Sequence, residues 1–389
     1  MNAVFSVLLR MRNALKKGVA ATVKKRFCFL LIIALFISVC VTAGTADTVE
    51  IVPDYTAAIS EEPEFKAICL AGSVDDFNSA GFQFGDSCDI RFSNGYTLED
   101  VPYYNGYYAR TNEPLLVAYP GYEHVEIAIC NGDSSWLVCG CSEGDTVTVT
   151  LAQAGKYLAV QEAMNTVYSN ERADYPDDKA FANFRVMSGG RLRKNTFFRG
   201  ASPVNNTYNR AGIVDRLIRE TGIAFVLDLA DNGERLKQYA EESNSEYFLS
   251  LYHSGRVAPL GLNASYRSDT FRKTLAAGLL EMMNHEGPYY IHCTEGKDRT
   301  GFVCLLLEAL SGAGPDELEA DYMLTFKNYY GILSGSERYD TFLCFRFHDM
   351  YDWLAGLGGG DPEAGARAYL LDGGMTETEV DELERFLTE

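Results

Sequence analysis

One ten-residue segment constrains the fold of this chain more than any other. It reads His292-Cys293-Thr294-Glu295-Gly296-Lys297-Asp298-Arg299-Thr300-Gly301. A short run of strand-forming residues, 288–292, leads into it, and an apolar run, 302–310, follows it. This order predicts a buried strand, then a tight loop, then a buried helix that begins where the loop ends.

The loop between this strand and this helix has the composition of an anion-binding site. Such a loop turns its backbone N–H groups inward, and the N-terminus of the next helix adds the positive end of its dipole. Gly296 permits the left-handed backbone that the turn needs. The predicted phosphate-binding residues are Thr294, Glu295, Gly296, Lys297 and Thr300.

Cys293 and Arg299 give the loop its predicted chemistry. Arg299 lies six residues after Cys293 and is expected to fold back and hold two phosphate oxygens with its planar guanidinium. The same guanidinium and N–H groups stabilise a thiolate, so Cys293 is predicted to act as a nucleophile. Among the ten cysteines, only Cys293 has an arginine at this spacing. The expected reaction is two in-line displacements through a phosphocysteine.

This segment resembles the active-site loop of the cysteine-dependent protein tyrosine phosphatases. It is most similar to the bacterial branch of tyrosine and lipid phosphatases, whose loop reads His-Cys-x-x-Gly-Lys-Asp-Arg-Thr-Gly. Flanking segments also resemble that family, namely 183–185, 197–203, 222–229, 321–322 and 369–387. The resemblance covers roughly residues 180–389. It implies an α/β fold, a three-layer tyrosine-phosphatase-like domain with a mostly parallel sheet.

The resemblance also implies roles for individual residues. Cys293 would be the nucleophile and Arg299 the group that holds the transition state. Thr300 would steady the departing thiolate, and His292 would orient the loop. The family's chemistry uses no cofactor and no metal, and the sequence has no Cys-x-x-Cys pair or histidine cluster with zinc spacing.

Three aspartates compete for the role of general acid, which must be protonated while it faces the scissile bond. Asp298 lies inside the loop and is the first choice, because myotubularins are similar in placing an acid there. Asp269 lies on the segment where the wider family has its acid, but it also fits the N-terminal cap of a helix running to about His285. Asp231, with Glu234 three residues later, also fits a capping pair.

The first 46 residues are predicted to be a signal peptide or membrane anchor. They contain seven Lys or Arg and no acidic residue, and an apolar run spans 27–43. Export, with the protein secreted or extracytoplasmic, is therefore expected, and an uncleaved anchor at 27–43 is the alternative. Without this segment the chain has 27 basic and 54 acidic residues, a formal charge of −27. Nucleic acid is accordingly not expected as a partner.

A different pattern, with alternating apolar and polar residues, runs from residue 47 to 155. Runs at 88–92, 124–130 and 146–151 alternate and are separated by turn pairs such as Asn94-Gly95 and Asn131-Gly132. They predict a small β-rich domain, an antiparallel barrel or sandwich. Residues 156–180 are predicted to be a linker, and 181–389 the catalytic domain. The N-terminal region is also the predicted place of any membrane or cell-wall association.

The sequence thus predicts an exported cysteine-dependent phosphatase of the protein-tyrosine or dual-specificity type. Its partner would be a phosphorylated protein or a small phosphomonoester. A phosphoinositide or inositol phosphate phosphatase with the same loop is the alternative within the same class. The alternative from another class is a phosphate-binding or adhesion protein that does not turn over. The oligomeric state is not predicted.

Overall fold

The computed structural model describes residues 52–62 and 66–389. The predicted leader at 1–46, with its apolar run at 27–43, lies outside the described residues. Among those that are described, no helix has both the length and the apolar character required to cross a bilayer.

Residues 54–153 contain a seven-stranded barrel that closes on itself. Its strands are β1 Asp54–Glu61, β2 Ile68–Leu70, β3 Ser87–Phe92, β4 Thr97–Tyr104, β5 Pro114–Val117, β6 Glu126–Ile129 and β7 Thr146–Gln153. They lie in the order β1-β2-β6-β5-β4-β3-β7. Along β3, Cys88, Ile90 and Phe92 are buried while Asp89 and Arg91 are exposed, as a strand with one covered face requires.

The prediction of a barrel or sandwich is resolved in favour of the barrel. The expectation that the barrel is antiparallel throughout is wrong at one pair, because β4 and β5 run parallel, with Tyr103 opposite Leu116. Residues 105–113 join these two strands, and this connection is longer than a hairpin turn. It lets the second strand start again from the same end of the barrel.

A second sheet of five strands organises the rest of the chain. Its strands are β8 Arg185–Val186, β9 Phe197–Gly200, β10 Phe225–Asp228, β11 Val257–Pro259 and β12 Tyr289–His292. They lie in the order β11-β10-β12-β9-β8. The four strands from β11 to β9 are parallel, and β8 pairs antiparallel with β9 at the edge.

Helices surround this sheet and also fill the connections of the barrel. In the first half of the chain they are α1 Val74–Ser79, α2 Ser135–Val138, α3 Leu158–Met164, α4 Asp178–Phe181 and α5 Ala211–Thr221. They continue as α6 Gly233–Glu242, α7 Glu246–His253, α8 Asp269–Met283, α9 Asp298–Leu310 and α10 Pro315–Tyr330. The last are α11 Glu337–Phe342, α12 Asp349–Leu357, α13 Pro362–Asp372 and α14 Glu377–Thr388. A 3₁₀ turn spans Arg172–Asp174, and a π-helical segment spans Leu343–His348.

The apolar run at 302–310 explains why α9 is the central helix. Every residue from Thr300 to Leu310 is buried. A helix that is apolar all round has to be covered on all sides, and α9 contacts β9 and β12 as well as α10, α12 and α13. This burial holds the N-terminus of α9, and therefore the predicted phosphate loop, in one place.

Candidate active site

The predicted loop starts where β12 ends, at the carboxyl edge of the parallel strands. Gly200, Asp228 and His292 lie opposite one another on β9, β10 and β12, so the residues that follow them gather at one edge. Cys293 follows β12 there and is buried. The helix α9 begins at Asp298, which puts its N-terminus at the end of the loop. Ligands of α/β sheets usually bind at such an edge.

Gly296 turns the loop, as the sequence predicts. Its φ is +69°, in the left-handed region that favours glycine. A Cβ at this position would lie 2.2 Å from the carbonyl oxygen of Gly200. Two independent constraints, conformation and space, therefore require glycine here.

The carbonyl groups of the loop point outward because buried donors hold them. The donors are Ser202 N to Thr294 O at 3.1 Å, Tyr329 Oη to Glu295 O at 2.5 Å and Asn183 Nδ2 to Gly296 O at 3.0 Å. By contrast, the N–H groups from Thr294 to Lys297 donate to no acceptor in the part of the chain that the structure describes. Unpaired N–H groups in a concave loop at a helix N-terminus are an anion site.

Arg299 folds back over this loop. Its Nη1 donates to Leu262 O at 2.8 Å, and its Nη2 lies 3.3 Å from Thr294 Oγ1. No acidic side chain among the described residues forms an ion pair with it. The guanidinium is thus held in position by neutral oxygens and keeps its charge for an anion.

A buried ionic cluster supports the loop from below. Asp321 accepts from Arg185 Nε at 2.7 Å through one oxygen and from Arg199 through the other. Arg199 is fully buried and also donates to Gly296 O at 3.2 Å. Burial alone would raise the pKa of the Asp321 carboxyl, but the two guanidinium groups outweigh it and lower that pKa to about 2. The cluster therefore stays ionised and ties α10 to the loop.

The side chains of Glu295 and Lys297 contact each other and a wall of tyrosines. Lys297 Nζ lies 3.3 Å from Glu295 Oε1 and 3.3 Å from Tyr330 Oη. Tyr168, in the segment predicted as a linker, donates its hydroxyl to Glu295 and stacks on Tyr329 with a ring separation of 5.0 Å. This segment is therefore folded against the loop. These contacts order the side of the loop that faces the C-terminal helices.

His292 and Asp228 lie behind the loop and are completely buried. His292 Nδ1 donates to Cys293 O at 3.3 Å, a contact that fits the predicted orienting role. Burial lowers the pKa of His292 to about 4, so the imidazole is neutral at physiological pH. Burial raises the pKa of the Asp228 carboxyl to about 7, although the N–H groups of Ala230 and Asp231 oppose this shift.

Asp231 is also buried, and it does not cap helix α6 as one interpretation of the sequence predicts. The helix α6 is capped by Asn232, whose Oδ1 accepts from Arg235 N at 2.8 Å. The interpretation of Asp231 and Glu234 as a capping pair is wrong, because Asn and Asp cap equally well and the chain uses the next residue. Burial raises the pKa of Asp231 to about 6, and the nearby charge of Asp228 adds to the shift.

This burial predicts how Asp231→Asn changes stability with pH. An unfolded aspartate ionises near pH 4, about two units below the folded value. Between about pH 4 and pH 6 the folded chain binds the extra proton, so this carboxyl lowers the free energy of unfolding as pH rises. We expect Asp231→Asn to stabilise the chain by up to about 3 kcal/mol at pH 7.5 and to change little at pH 4.

Urea unfolding at both pH values measures this difference. The matched control is Asp269→Asn, because the Asp269 side chain is 79% exposed and its stability effect is expected to stay small at either pH. An equal effect of Asp231→Asn at both pH values would contradict the assignment of a buried carboxyl with a raised pKa.

The other two candidate acids lie at helix N-termini. Asp298 begins α9, is 58% exposed and lies 3.8 Å from Lys297 Nζ. Asp269 begins α8, where Ser268 is the cap and accepts from Phe271 N. Its ion-pair partner is Arg272 at 3.7 Å. The structure therefore brings Asp298 and Asp231 to the loop region and gives Asp269 a place in the first turn of α8.

Thr300 is buried, and its hydroxyl has no hydrogen-bond partner among residues 52–62 and 66–389. The predicted contact with the departing thiolate is accordingly still a prediction. No group of His, Cys, Asp and Glu side chains in the described ranges has the arrangement of a metal site. The eight cysteines of these ranges are all free thiols.

A cavity of about 360 Å³ opens beside Lys297 and Asp298. One wall comes from the barrel and includes Tyr107, Tyr108 and Tyr119. The opposite wall comes from α10 and the π-helical segment, and Ala264 and Tyr266 of the 260–268 segment complete the lining. The cavity places the predicted loop next to a large aromatic surface.

The contacts among several supporting residues have no local sequence signal. Arg185 and Arg199 lie in segments that resemble the tyrosine phosphatases, but their partner Asp321 follows more than 120 positions later. Tyr168 lies 127 positions before Glu295. Such pairs become visible only when the chain is folded, because no spacing rule connects residues so far apart.

Comparison with known families and structures places this geometry in context. Residues 180–341 match the model of the tyrosine phosphatase family, which confirms the predicted resemblance over those residues. A comparison with curated proteins finds no significant match.

Two solved structures show low sequence identity to this chain. The core catalytic domain of the PP-IP phosphatase SIW14 from S. cerevisiae, in complex with citrate, is 16% identical with a TM-score of 0.25; the match covers 46% of this chain and 98% of that one. An uncharacterized conserved protein from Thermotoga maritima is 19% identical with a TM-score of 0.22 over 24% of this chain. The chain spans 35% of the length of that Thermotoga protein.

Proposed function

We propose that this chain, whose residues 180–341 match the tyrosine phosphatase family, hydrolyses phosphomonoesters through a phosphocysteine. One observation carries the proposal. Cys293 lies at the start of a loop whose N–H groups from Thr294 to Lys297 are unpaired among the described residues, and Arg299, which forms no ion pair within those residues, lies over that loop. A phosphoryl group bound by these donors has the thiolate beneath it, where an in-line attack begins.

The first step transfers the phosphoryl group to sulfur. The Cys293 thiolate attacks phosphorus, so an S–P bond forms while the P–O bond of the ester breaks. The leaving oxygen takes a proton from a general acid, and the substrate alcohol departs. Charge on the equatorial oxygens is stabilised by the loop N–H groups, the N-terminus of α9 and Arg299.

The second step returns the enzyme to its starting state. A water molecule attacks phosphorus and gives its proton to the same carboxylate. The S–P bond breaks, the thiolate re-forms, and inorganic phosphate leaves. No net oxidation or reduction occurs, and one water is consumed for each ester cleaved.

Within this proposal the chain is a protein-tyrosine or dual-specificity phosphatase. The formal charge of −27 for the chain without its first 46 residues repels a densely anionic inositol polyphosphate more strongly than a peptide with one phosphoryl group and a few carboxylates, because the repulsion grows with the charge of the ligand. The proposal includes export, on the basis of the basic and then apolar N-terminal segment. It also includes a three-layer catalytic domain, supported by two cores on the alternate sides of β10, around Phe225 and Val226.

The test is phosphate release by the full chain under reducing conditions. The substrates are phosphotyrosine peptide, phosphoserine peptide, phosphoinositide vesicles and phytate. Faster phosphate release from the phosphotyrosine peptide than from the other three substrates supports the proposal. Faster release from phosphoinositide would instead indicate a lipid phosphatase. Absence of release from all four, with binding of inorganic phosphate retained, would instead indicate a binding protein.

We propose Asp298 as the general acid, because it is the candidate carboxyl that lines the cavity beside the loop. Asp298→Asn removes the proton donor, so we expect a loss of about 10²- to 10³-fold in kcat for phosphoserine peptide. The loss should be below about tenfold for p-nitrophenyl phosphate, whose leaving group needs little protonation. Parallel kinetics of both substrates measure the difference.

Asp231→Asn is the matched comparison for Asp298→Asn. Burial raises the pKa of Asp231 to about 6, which is suitable for an acid near neutral pH. If Asp231→Asn shows the leaving-group dependence and Asp298→Asn does not, the role passes to Asp231. If neither variant discriminates between the substrates, both assignments are wrong.

A further inference from the structure

The N-terminal barrel forms part of the cavity beside the candidate active site. Tyr107, Tyr108 and Tyr119 of the barrel share this cavity with Lys297 and Asp298 of the loop. The cavity volume is about 360 Å³, within the range of small-ligand sites. Lys297 and Asp298 are the loop residues that line it, so the cavity opens at the end of the loop that faces the barrel.

The barrel wall is held firmly against the catalytic part. Asp349 accepts from Thr111 N at 3.1 Å and Thr111 Oγ1 at 2.7 Å. It also accepts from Arg267 at 3.0 Å. Arg346 Nη2 donates to Tyr107 O at 3.2 Å. These bonds connect the β4–β5 connection, the 260–268 segment and the π-helical segment, so the wall is preorganised for a ligand.

Nine of the nineteen residues that line the cavity are aromatic. Besides the barrel tyrosines, the catalytic part contributes Tyr266, Tyr322, Phe326, Tyr330, Phe342 and Phe345. Tyr119 is 50% exposed, and its nearest ring is Tyr122 at 5.8 Å on the same loop. A half-exposed aromatic ring on the wall of a cavity next to an anion site is suited to contact the flat ring of a ligand.

One cation in the cavity has no acidic partner. Arg346 lies on the π-helical segment Leu343–His348, a kind of distortion often found at functional sites. Within the described residues its hydrogen bond is to Tyr107 O, and it forms no ion pair with a carboxylate. Its remaining donors are free for a second anionic group of the ligand.

We propose that the barrel is one wall of the substrate site and that this site selects, among phosphotyrosine peptides, those with a carboxylate beside the phosphotyrosine. The phosphoryl group binds the loop at Cys293, the phenyl ring lies against Tyr119 and the other rings, and Arg346 binds a neighbouring carboxylate. This inference rests on the proposed function, because it names the substrate of the same site. It assigns to the barrel a role in substrate selection.

The test measures binding as well as turnover, so it does not depend on catalysis. In a Cys293→Ser background, fluorescence anisotropy gives the Kd of a labelled phosphotyrosine peptide with acidic flanking residues. We expect Tyr119→Ala to raise this Kd about tenfold, the loss of one aromatic contact at a binding site. Tyr119→Phe should restore the original Kd. Tyr96→Ala is the matched control, since Tyr96 is an exposed tyrosine in the β3–β4 turn, outside the cavity lining.

Arg346→Gln tests the second contact. It should raise the Kd of the acidic peptide about tenfold and change the Kd of a peptide with neutral flanking residues less than threefold. In the catalytically intact chain, Tyr119→Ala should raise KM for the phosphotyrosine peptide about tenfold with kcat unchanged. The KM for glycerol phosphate, which has no aromatic ring, should stay the same.

The outcomes separate this inference from the proposed function. Equal Kd values for Tyr119→Ala and Tyr96→Ala would overturn the role of the barrel, whether or not the chain is a phosphatase. A tenfold effect on Kd without turnover of any substrate would retain the site and overturn the phosphatase. If Tyr119→Ala weakened binding to phosphoinositide vesicles but left the Kd of the peptide unchanged, the proposed substrate class would be overturned.

Discussion

Cys293→Ser is expected to lower phosphate release from phosphotyrosine peptide by roughly 10⁴-fold or more. Serine keeps the size and position of the side chain but replaces a thiolate with a hydroxyl that is not ionised at neutral pH. The loop itself should persist, because its carbonyl groups are held by Ser202, Tyr329 and Asn183. Binding of inorganic phosphate should therefore stay within about threefold of the unmodified chain, which isothermal titration measures.

The matched control for this variant is Cys69→Ser. Cys69 is a half-buried free thiol of the barrel strand β2, so the same atomic change is made away from the loop. It should leave kcat unchanged. Activity that survives in Cys293→Ser would show that the nucleophile lies elsewhere, and loss of phosphate binding together with activity would show that the substitution damaged the loop.

Asp321→Asn is expected to have the largest effect on stability. The substitution leaves two buried guanidinium groups, Arg185 and Arg199, with no carboxylate between them. Breaking a buried ion cluster in this way costs about 3–5 kcal/mol, because the remaining charges are neither solvated nor paired. Urea unfolding should show this loss as a lower midpoint with an unchanged slope.

Asp381→Asn provides a control with the same chemical change. Asp381 pairs with Arg367 at 2.6 Å, but its side chain is 55% exposed, so water replaces the lost partner. We expect a change in the free energy of unfolding below about 1 kcal/mol. If the two variants lose similar stability, the cluster under the loop is not the support that its burial indicates.

The ionic cluster also links stability to the site. Arg199 donates to Gly296 O as well as to Asp321, so a loosened cluster would free one of the carbonyl groups that face away from the bound phosphate. Near the midpoint of unfolding, activity of Asp321→Asn should fall with the folded fraction. At urea concentrations below that midpoint, where the chain is folded, any loss in kcat would indicate that the loop has moved.

The local features of the site could be predicted from the sequence because each depends on residues close together. The strand ending at His292, the left-handed turn at Gly296 and the buried helix after it follow from alternation, glycine and an apolar run. The alternating strands of the barrel were equally predictable. Their parallel pair, β4 with β5, was not, because the direction of pairing depends on the path of the connection rather than on either strand.

The choice of helix cap and of general acid shows where local chemistry becomes ambiguous. Asp231 and Asn232 are both good caps, and only the position of α6 shows that Asn232 has this role. Three aspartates fit an acid by sequence, yet they differ in burial, from a fully buried Asp231 to Asp269 with 79% exposure. Burial results from the packing of distant segments and has no local signature.

The sequence by itself therefore determined the chemical elements of the loop, namely a cysteine, an arginine six residues later and the glycine between them. Only the tertiary structure decided what surrounds them: the ionic cluster under Gly296, the tyrosines beside Glu295, and a barrel wall that faces Lys297 and Asp298. The physical reason is that hydrogen-bond and turn preferences act over a few residues. Cavities and buried charges, in contrast, are made by segments that meet only after the chain has collapsed.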